Sequence, residues 1–499
     1  MKNLNKILIV LLVAVFASSC DEKLDINTSP NNPGQINAGL ALTSAEAAIA
    51  TVVGGEFTNL GGFYAQYHTQ SPSASQYENI DSYNLNITYA TTPWTTLYAG
   101  ALTDLQYVTS ESEAAGDTGT LLIAEVLRAY TFQVLVDIFG DVPYTEALQG
   151  TSGNITPAAT PGQEIYADLI TKIDAAIAAY EANPTSPEVG AQDVVYGADV
   201  DSWIKFANTL KLRLYIRMAY TSQANPTAVN ALIAENNFVT EDASFSLFVN
   251  SLNKTNPFYG TYITNAGTGL GDVNHIASNT LHDFYVDNAD PRLEAVYRAT
   301  TAGTYPSIAQ GTGNTYNNTA TSYARPNIGA LTPVFFITVS ESHFLQAEAL
   351  IRYAGGTGAK EQYDAGVAAS FATYQQHYGL PASASAASFT NAGGAYEYVP
   401  SANIETALRQ VIVQKWAGLA YVNTIEAYIE TTRTKYPEVV PEGTQNYSLG
   451  NRIPSDISVF TGTTVPSILF YPDDEVNRNP NITQHTSLTQ NVWWDQKPE

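Results

Sequence analysis

Apolar positions along this chain recur mostly every three or four residues, which is the period of a helix with one buried face. Ile165, Leu169, Ile173 and Ile177 fall four apart and make one stripe. Trp203, Phe206, Leu210, Leu214 and Met218 make another. The pattern predicts helices over 37–50, 121–138, 340–353, 361–378 and 404–432. Thr160-Pro161-Gly162-Gln163 reads as a capping box with proline at the first helical position. Asp199 or Asp201 is expected to cap the helix carrying Trp203. Gly140 should end the 121–138 helix at positive φ, and Pro143 should prevent its continuation. Strand signals are sparse, with 335–339 the clearest.

Between the helical runs, 62–89, 254–279, 300–331, 382–399 and 438–491 lose the period and fill with Gly, Ser, Thr, Asn and Tyr. Irregular segments of that length are usually functional or disordered. Ala124-Glu125-Val126-Leu127-Arg128-Ala129-Tyr130 is echoed by Ala347-Glu348-Ala349-Leu350-Ile351-Arg352-Tyr353. A repeated helical unit with small residues at its contacts suggests stacked hairpins. The expected fold is mainly α, with tetratricopeptide-like stacked helix pairs and long irregular ligand-binding loops.

The N-terminus changes the picture from a globular chain to an exported one. Lys2 and Lys6 precede an unbroken apolar run over 7–16, then Ala17-Ser18-Ser19 and Cys20. This is the layout of a secretory signal. The run is shorter than the roughly 20 residues a spanning helix needs, and no later segment is expected to reach that length. Cys20 is the only cysteine, so it cannot pair within the chain. Its place after small residues fits lipid modification at a new N-terminus, where acyl chains contribute roughly 0.8 kcal/mol per buried CH2. The alternative is a secreted soluble protein cut near Ser19. We expect a signal peptide over 1–19, a lipidated Cys20 with a flexible tether over 20–35, and a single domain over 36–499.

Charge narrows the ligands. The chain carries −25. Loss of Lys2 and Lys6 leaves 20 basic against 47 acidic residues, or −27. Such a surface argues against nucleic acid, whose phosphates demand Lys and Arg, and against anionic lipid heads. It favours neutral or cationic ligands.

Several motifs then fall in order. They include Leu24-Asp25-Ile26-Asn27 with Pro30-Asn31-Asn32-Pro33, and Phe139-Gly140-Asp141-Val142-Pro143-Tyr144. Trp203-Ile204-Lys205-Phe206-Ala207-Asn208-Thr209-Leu210-Lys211-Leu212-Arg213 and Asp290-Pro291-Arg292-Leu293 follow. Gln414-Lys415-Trp416 comes next, then Tyr471-Pro472 with Glu475 and Asn477, and Trp493-Trp494. With the 124–130 segment, this series resembles the SusD/RagB family of outer-membrane nutrient-binding lipoproteins, in the branch with an LDIN-type tether. It departs from the family at Thr432, where a second arginine before Tyr436-Pro437 is common, and ahead of Tyr471, where an arginine is common.

The resemblance implies a non-catalytic cell-surface receptor, lipid-anchored in the outer membrane. It would capture oligosaccharides or polysaccharide fragments and pass them to a SusC-like TonB-dependent transporter. Capture of oligopeptides is the alternative within the same class, and a surface glycoside hydrolase is the alternative outside it. The acidic residues after the cysteine, Asp21 and Glu22, resemble a surface-export signal.

The residues themselves offer binding chemistry more readily than catalysis. Sugars need flat apolar faces together with amides, hydroxyls or carboxylates. Loop tyrosines beside asparagines meet that need, and the candidates are Tyr67, Tyr77, Tyr83, Asn84, Tyr259 and Tyr262. The six histidines (His68, His275, His282, His343, His377, His485) show no metal-ligand spacing, and no nucleophile elbow is present. No metal or cofactor is expected. Gly267-Thr268-Gly269-Leu270-Gly271 lacks the strand–helix frame of a nucleotide site. Asp473-Asp474-Glu475 reads as a solvated turn, Arg213 and Arg217 as buried salt-bridge partners, and Trp94, Tyr98, Trp203 and Trp416 as core.

Overall fold

A computed structural model describes residues 36–264 and 272–498. Helix α1 (Ala38–Thr51) opens on Asn37, whose side chain accepts from the Leu40 amide at 2.8 Å. It continues through a π-helical stretch (Val52–Glu56) into α2 (Phe57–Tyr64), so the segment expected as loop from residue 62 begins in helix. A Cβ at Gly54 would lie 2.2 Å from Val334, so only glycine lets the strand carrying Val334 approach. By length and composition the 27-residue run Ala38–Tyr64 could cross a membrane, and 61% of its most apolar window is buried. This corrects the expectation that nothing beyond the leader reaches that length. A helix apolar on most sides can be the inner helix of a large core.

Helices α3 (Thr103–Ala115) and α4 (Thr118–Phe139) meet at Gly116, which adopts φ 70°, and Asp117, which caps α4. Then α5 (Gly162–Ala182) lies against α4. The pair α6 (Val200–Arg217) and α7 (Pro226–Glu235) follows. After a long irregular middle come α8 (Val339–Tyr353) with α9 (Ala359–His377), and α10 (Ile404–Gly418) with α11 (Thr424–Thr434). The expected 404–432 helix is thus two helices, broken at 419–423. α8 packs on α6, α7, α9 and α10. The fold is mainly α, with the stacked helix pairs expected.

Two terminal signals resolve differently. Asp199 caps α6, accepting from the Asp201 amide at 3.2 Å, and Gly140 closes α4 at φ 76°. The capping box at Thr160 does not form. Strand β3 (Ala159–Thr160) pairs with β2 (Val142–Pro143), and the Thr160 hydroxyl meets that of Thr145 at 3.1 Å. Asp141 instead accepts from the Gly162 amide at 2.8 Å. Thr145, just beyond β2, has taken the hydroxyl that a local motif would use.

Among the described residues, strands form four two-stranded ladders. The strand expected near 335–339 is β8 (Val334–Ile337), paired with β4 (Ala243–Phe245). Strand β1 (His68–Gln70) pairs antiparallel with β5 (His275–Ala277), and β6 (Tyr297–Arg298) with β7 (Arg325–Pro326). Trp203, Trp416 and Trp494 are wholly buried.

The helices are locked by ions as well as apolar packing. Arg213 donates twice to Glu341, both at 2.8 Å. Arg217 meets Asp137 at 3.1 Å, Glu426 at 2.6 Å, and Glu430. Lys415 reaches Glu426 at 3.1 Å and Glu430 at 3.3 Å, and Arg433 lies 2.7 Å from both Glu348 and Glu430. The salt-bridge role expected for Arg213 and Arg217 holds. The departure at Thr432 leaves its neighbour Arg433 fully engaged.

Candidate functional site

The β1–β5 ladder sets the geometry of the loop that follows Gln70. His68 stands opposite Ala277, and Gln70 opposite His275. The Gln70 side chain accepts from the Tyr77 amide at 2.8 Å and donates to the Ala74 carbonyl at 2.9 Å. Asp81 holds the same loop from behind, accepting from the Thr69 hydroxyl at 2.7 Å, the Gln70 amide at 3.0 Å and the Gln310 side chain. Burial pushes the Asp81 carboxyl up to about 6 against those bonds.

This framework brings Tyr77 against a π-helical turn (Tyr259–Thr264). The Tyr77 and Tyr262 rings lie 5.6 Å apart, and Tyr77 is 4.9 Å from the His275 ring. Tyr262 stacks on Phe258 at 5.1 Å and donates its hydroxyl to Glu56 at 2.9 Å. Behind them, His68 Nε2 lies 3.1 Å from the Asn59 carbonyl and Nδ1 3.1 Å from the Tyr421 hydroxyl. A carbonyl only accepts, so Nε2 carries the proton and Nδ1 accepts from Tyr421. Burial lowers His68 to about 3, and burial with its neighbour His68 holds His275 well below the usual imidazole range. Both rings are neutral aromatic packing at pH 7.

The turn has a second side. A cleft of about 380 Å³ is lined by Tyr259, Thr261, Thr264, Asn250, Leu252 and Asn253. Its size lies within the usual range of small-ligand sites, about 300–1,000 Å³. It combines one half-buried ring with amides and hydroxyls. Asn256 also lines it, but its side chain is committed to the Thr332 carbonyl at 2.9 Å and the Tyr259 amide at 3.0 Å.

The candidates therefore divide. Tyr77 and Tyr262 come together, and Tyr259 borders the adjoining cleft. Asn84 is exposed, with its amide on the Asn79 carbonyl at 2.8 Å. Tyr67 and Tyr83 offer no face to a ligand. Tyr67 is fully buried with its hydroxyl on the Trp416 carbonyl at 2.5 Å, and Tyr83 packs edge-on to Tyr64 at 5.3 Å. Counting tyrosines in loops cannot separate these, because half of a loop's aromatic residues can point inward. Cys20 and the glycines of 267–271 lie outside the described residues.

Sequence reasoning missed Glu56 and Tyr89. Glu56 is one of only two acids, with Glu46, in the apolar run Ala38–Tyr64, and that scarcity was the available signal. A larger cavity of about 490 Å³ lies elsewhere, between Trp94, Tyr98, Gln149, Ile155, Glu475 and Arg478. Its aromatic wall belongs to the scaffold. Trp94 is buried against Phe139 at 5.1 Å, and the Tyr98 hydroxyl donates to the Pro143 carbonyl at 2.7 Å. The acidic run there starts a short helix (Asp473–Arg478) whose Asp474–Arg478 pair, at 3.0 Å, is exposed. Among the described residues no group of three His, Cys, Asp or Glu side chains could hold a metal ion.

Stacked helix pairs that carry tyrosine-rich irregular loops make this a helical-repeat scaffold protein. Residues 30–457 match the SusD-like family, described as "Starch-binding associating with outer membrane", and the chain belongs to that family. Solved structures agree on the fold. A chitin-binding protein is 24% identical, covering 92% of this chain and 100% of its own at a TM-score of 0.71. A SusD homologue from Bacteroides fragilis is 18% identical over 93% of this chain and 100% of its own, with a TM-score of 0.72. A SusD/RagB family protein from Bacteroides thetaiotaomicron is 20% identical over the same shares, with a TM-score of 0.71. No curated protein matches the chain significantly.

Proposed function

We propose that this chain is a non-catalytic cell-surface receptor that captures oligosaccharides and delivers them to a SusC-like TonB-dependent transporter. It does so as one domain, residues 36–499, held to the outer membrane through a lipidated Cys20. The family match over 30–457 carries the reading, and the relative named for chitin binding supports a glycan ligand. The Tyr77–Tyr262 pair and the Tyr259 cleft supply apolar faces beside amides and hydroxyls, the chemistry a pyranose needs.

The test is a glycan and peptide array probed with the intact chain, followed by calorimetry of Tyr77→Ala, Tyr259→Ala and Tyr262→Ala on the best ligand. We expect a polysaccharide class to bind and at least one substitution to cost 1–3 kcal/mol, about 5- to 150-fold. Peptide binding with silence on glycans would move the ligand class to oligopeptides. Release of products from a labelled oligosaccharide would overturn the non-catalytic assignment.

A further inference from the structure

Glu56 differs from the other buried carboxylates of the protein in what surrounds it. In the helical core, Glu426 and Glu430 each sit within 4 Å of more than one cation. Glu46 is fully buried and accepts from the Val194 amide at 3.0 Å, and Asp81 from the Gln70 amide at 3.0 Å. Glu56 is partly exposed and accepts from the Tyr262 hydroxyl at 2.9 Å, with the Tyr89 hydroxyl as its other neighbouring donor. No Lys, Arg or His lies within ion-pair distance of it among the described residues. The arginines Arg298 and Arg325 are both engaged by Asp272.

What surrounds Glu56 is aromatic. Tyr262 touches it, and Tyr77 and Tyr89 lie close enough for its charge to oppose their ionisation. The buried Tyr89 hydroxyl faces the same carboxyl without a well-formed hydrogen bond to it. Burial also holds the Glu56 carboxyl above the usual carboxylate range.

A carboxylate beside tyrosine π-faces suits one chemical group best. An ammonium gives it charge-assisted hydrogen bonds and gains cation–π attraction from the rings, about 0.5–2 kcal/mol. A neutral amide offers one weaker donor and no charge. The net charge of −25 would steer a polycation toward the site, and salt would weaken that steering.

We propose that Glu56, with Tyr77, Tyr89 and Tyr262, forms a subsite for a primary ammonium on the captured glycan, so that the protein takes oligosaccharides containing free, unacetylated hexosamine. This rests on the glycan-receptor reading above. The amine pairs with the Glu56 carboxylate while the sugar ring lies across Tyr77.

The experiment is calorimetry of the intact chain and of Glu56→Gln with a glucosamine hexamer and its fully N-acetylated counterpart, at low and high salt. The intact chain should prefer the amine hexamer at least tenfold, and added salt should shrink that preference. In Glu56→Gln the preference should collapse to near parity. Equal affinity for the two hexamers overturns the proposal, as does a preference that Glu56→Gln leaves intact. Salt also screens the whole chain's −25, so Glu56→Asp, which keeps the carboxylate, is the second variant. It should retain the amine preference, and loss of the preference in both variants overturns the assignment to the Glu56 charge. Silence on both hexamers also overturns it. Binding of neutral glycans by the same sample then shows that the receptor reading survives, whereas silence on those too shows that it fails. Binding of a lysine-rich peptide in place of either hexamer overturns the hexosamine assignment.

Discussion

Two glutamates, Glu430 in the helical core and Glu56 beside the tyrosines, show how differently this protein treats buried charge. Glu430 lies on α11 between Arg217, Lys415 and Arg433, which hold its carboxyl well below the usual range despite burial. Glu56 has a hydroxyl for a partner, and burial holds it above that range. Desolvation penalises both carboxylates, and neighbouring cations decide the sign of the shift. The core has satisfied its ions internally, which suits a scaffold. The tyrosine face leaves a carboxylate for something outside the chain to satisfy.

The comparison is broken most forcefully at Glu430. Glu430→Gln keeps the shape and removes the charge, leaving three cations short of a partner in a dry site. Removing one member of a buried ionic cluster costs about 3–5 kcal/mol. We expect a loss of that size in chemical denaturation, with ligand affinity of the folded protein retained. A loss below about 1 kcal/mol would mean that the cations re-pair with Glu348 and Glu426, and that the cluster is less selective than its geometry suggests.

How much of this was legible in the sequence follows the same division. Arg213 and Arg217, one helical turn apart among apolar residues, could be read as buried ion-pair partners, because the helical period fixes which side chains share a face. Their acids come from α4, α8 and α11, and no local pattern names such distant partners. The helices themselves were largely readable from period. The capping box at Thr160 was not, because Thr145, just beyond β2, competes for its hydroxyl. In the loops, Tyr77 and Tyr67 look alike as sequence. The β1–β5 ladder separates them, turning Tyr67 into the core and holding Tyr77 at its edge. Glu56 was hidden inside a helical run that continues through a π-helical stretch, where an extra residue per turn shifts the face a side chain occupies.

Acid should sharpen the comparison. His68 and His275 are held below the usual imidazole range, so the unfolded chain binds protons that the native state refuses. Their contribution is complete above about pH 6.5 and is lost as pH falls from there toward the native value, about 3 for His68. The carboxyls of Glu348, Glu426 and Glu430 are also depressed. Their contribution is present above about pH 4.5 and is lost as pH falls below that. Asp81, raised to about 6, works the other way and adds stability as pH falls through 6, which offsets part of the imidazole loss. Hydrogen exchange should therefore show protection weakening at β1 and β5 between pH 6.5 and 4.5. The amides of α10 and α11 should hold until lower pH. Simultaneous loss in both regions would mean that they open as one cooperative unit.

The finest test separates a tyrosine that packs from one that faces a ligand. The Tyr67 hydroxyl donates to the Trp416 carbonyl at 2.5 Å in a fully buried site. Tyr67→Phe keeps the ring and removes the shorter of two donors to that carbonyl, at a cost of about 1–3 kcal/mol for a fully unsatisfied group and nearer 1 kcal/mol where another donor remains. The Leu419 amide reaches the Trp416 carbonyl at 3.3 Å and survives the change, which favours the smaller figure. Denaturation should show that loss while calorimetry with the best array ligand shows no change in affinity. Tyr262→Phe, by contrast, removes the hydroxyl on Glu56 and should alter ligand affinity more than stability. If Tyr67→Phe weakened binding at unchanged stability, the inner tyrosines would be coupled to the ligand, and the division between scaffold and tyrosine face would have to be redrawn around the Trp416 carbonyl.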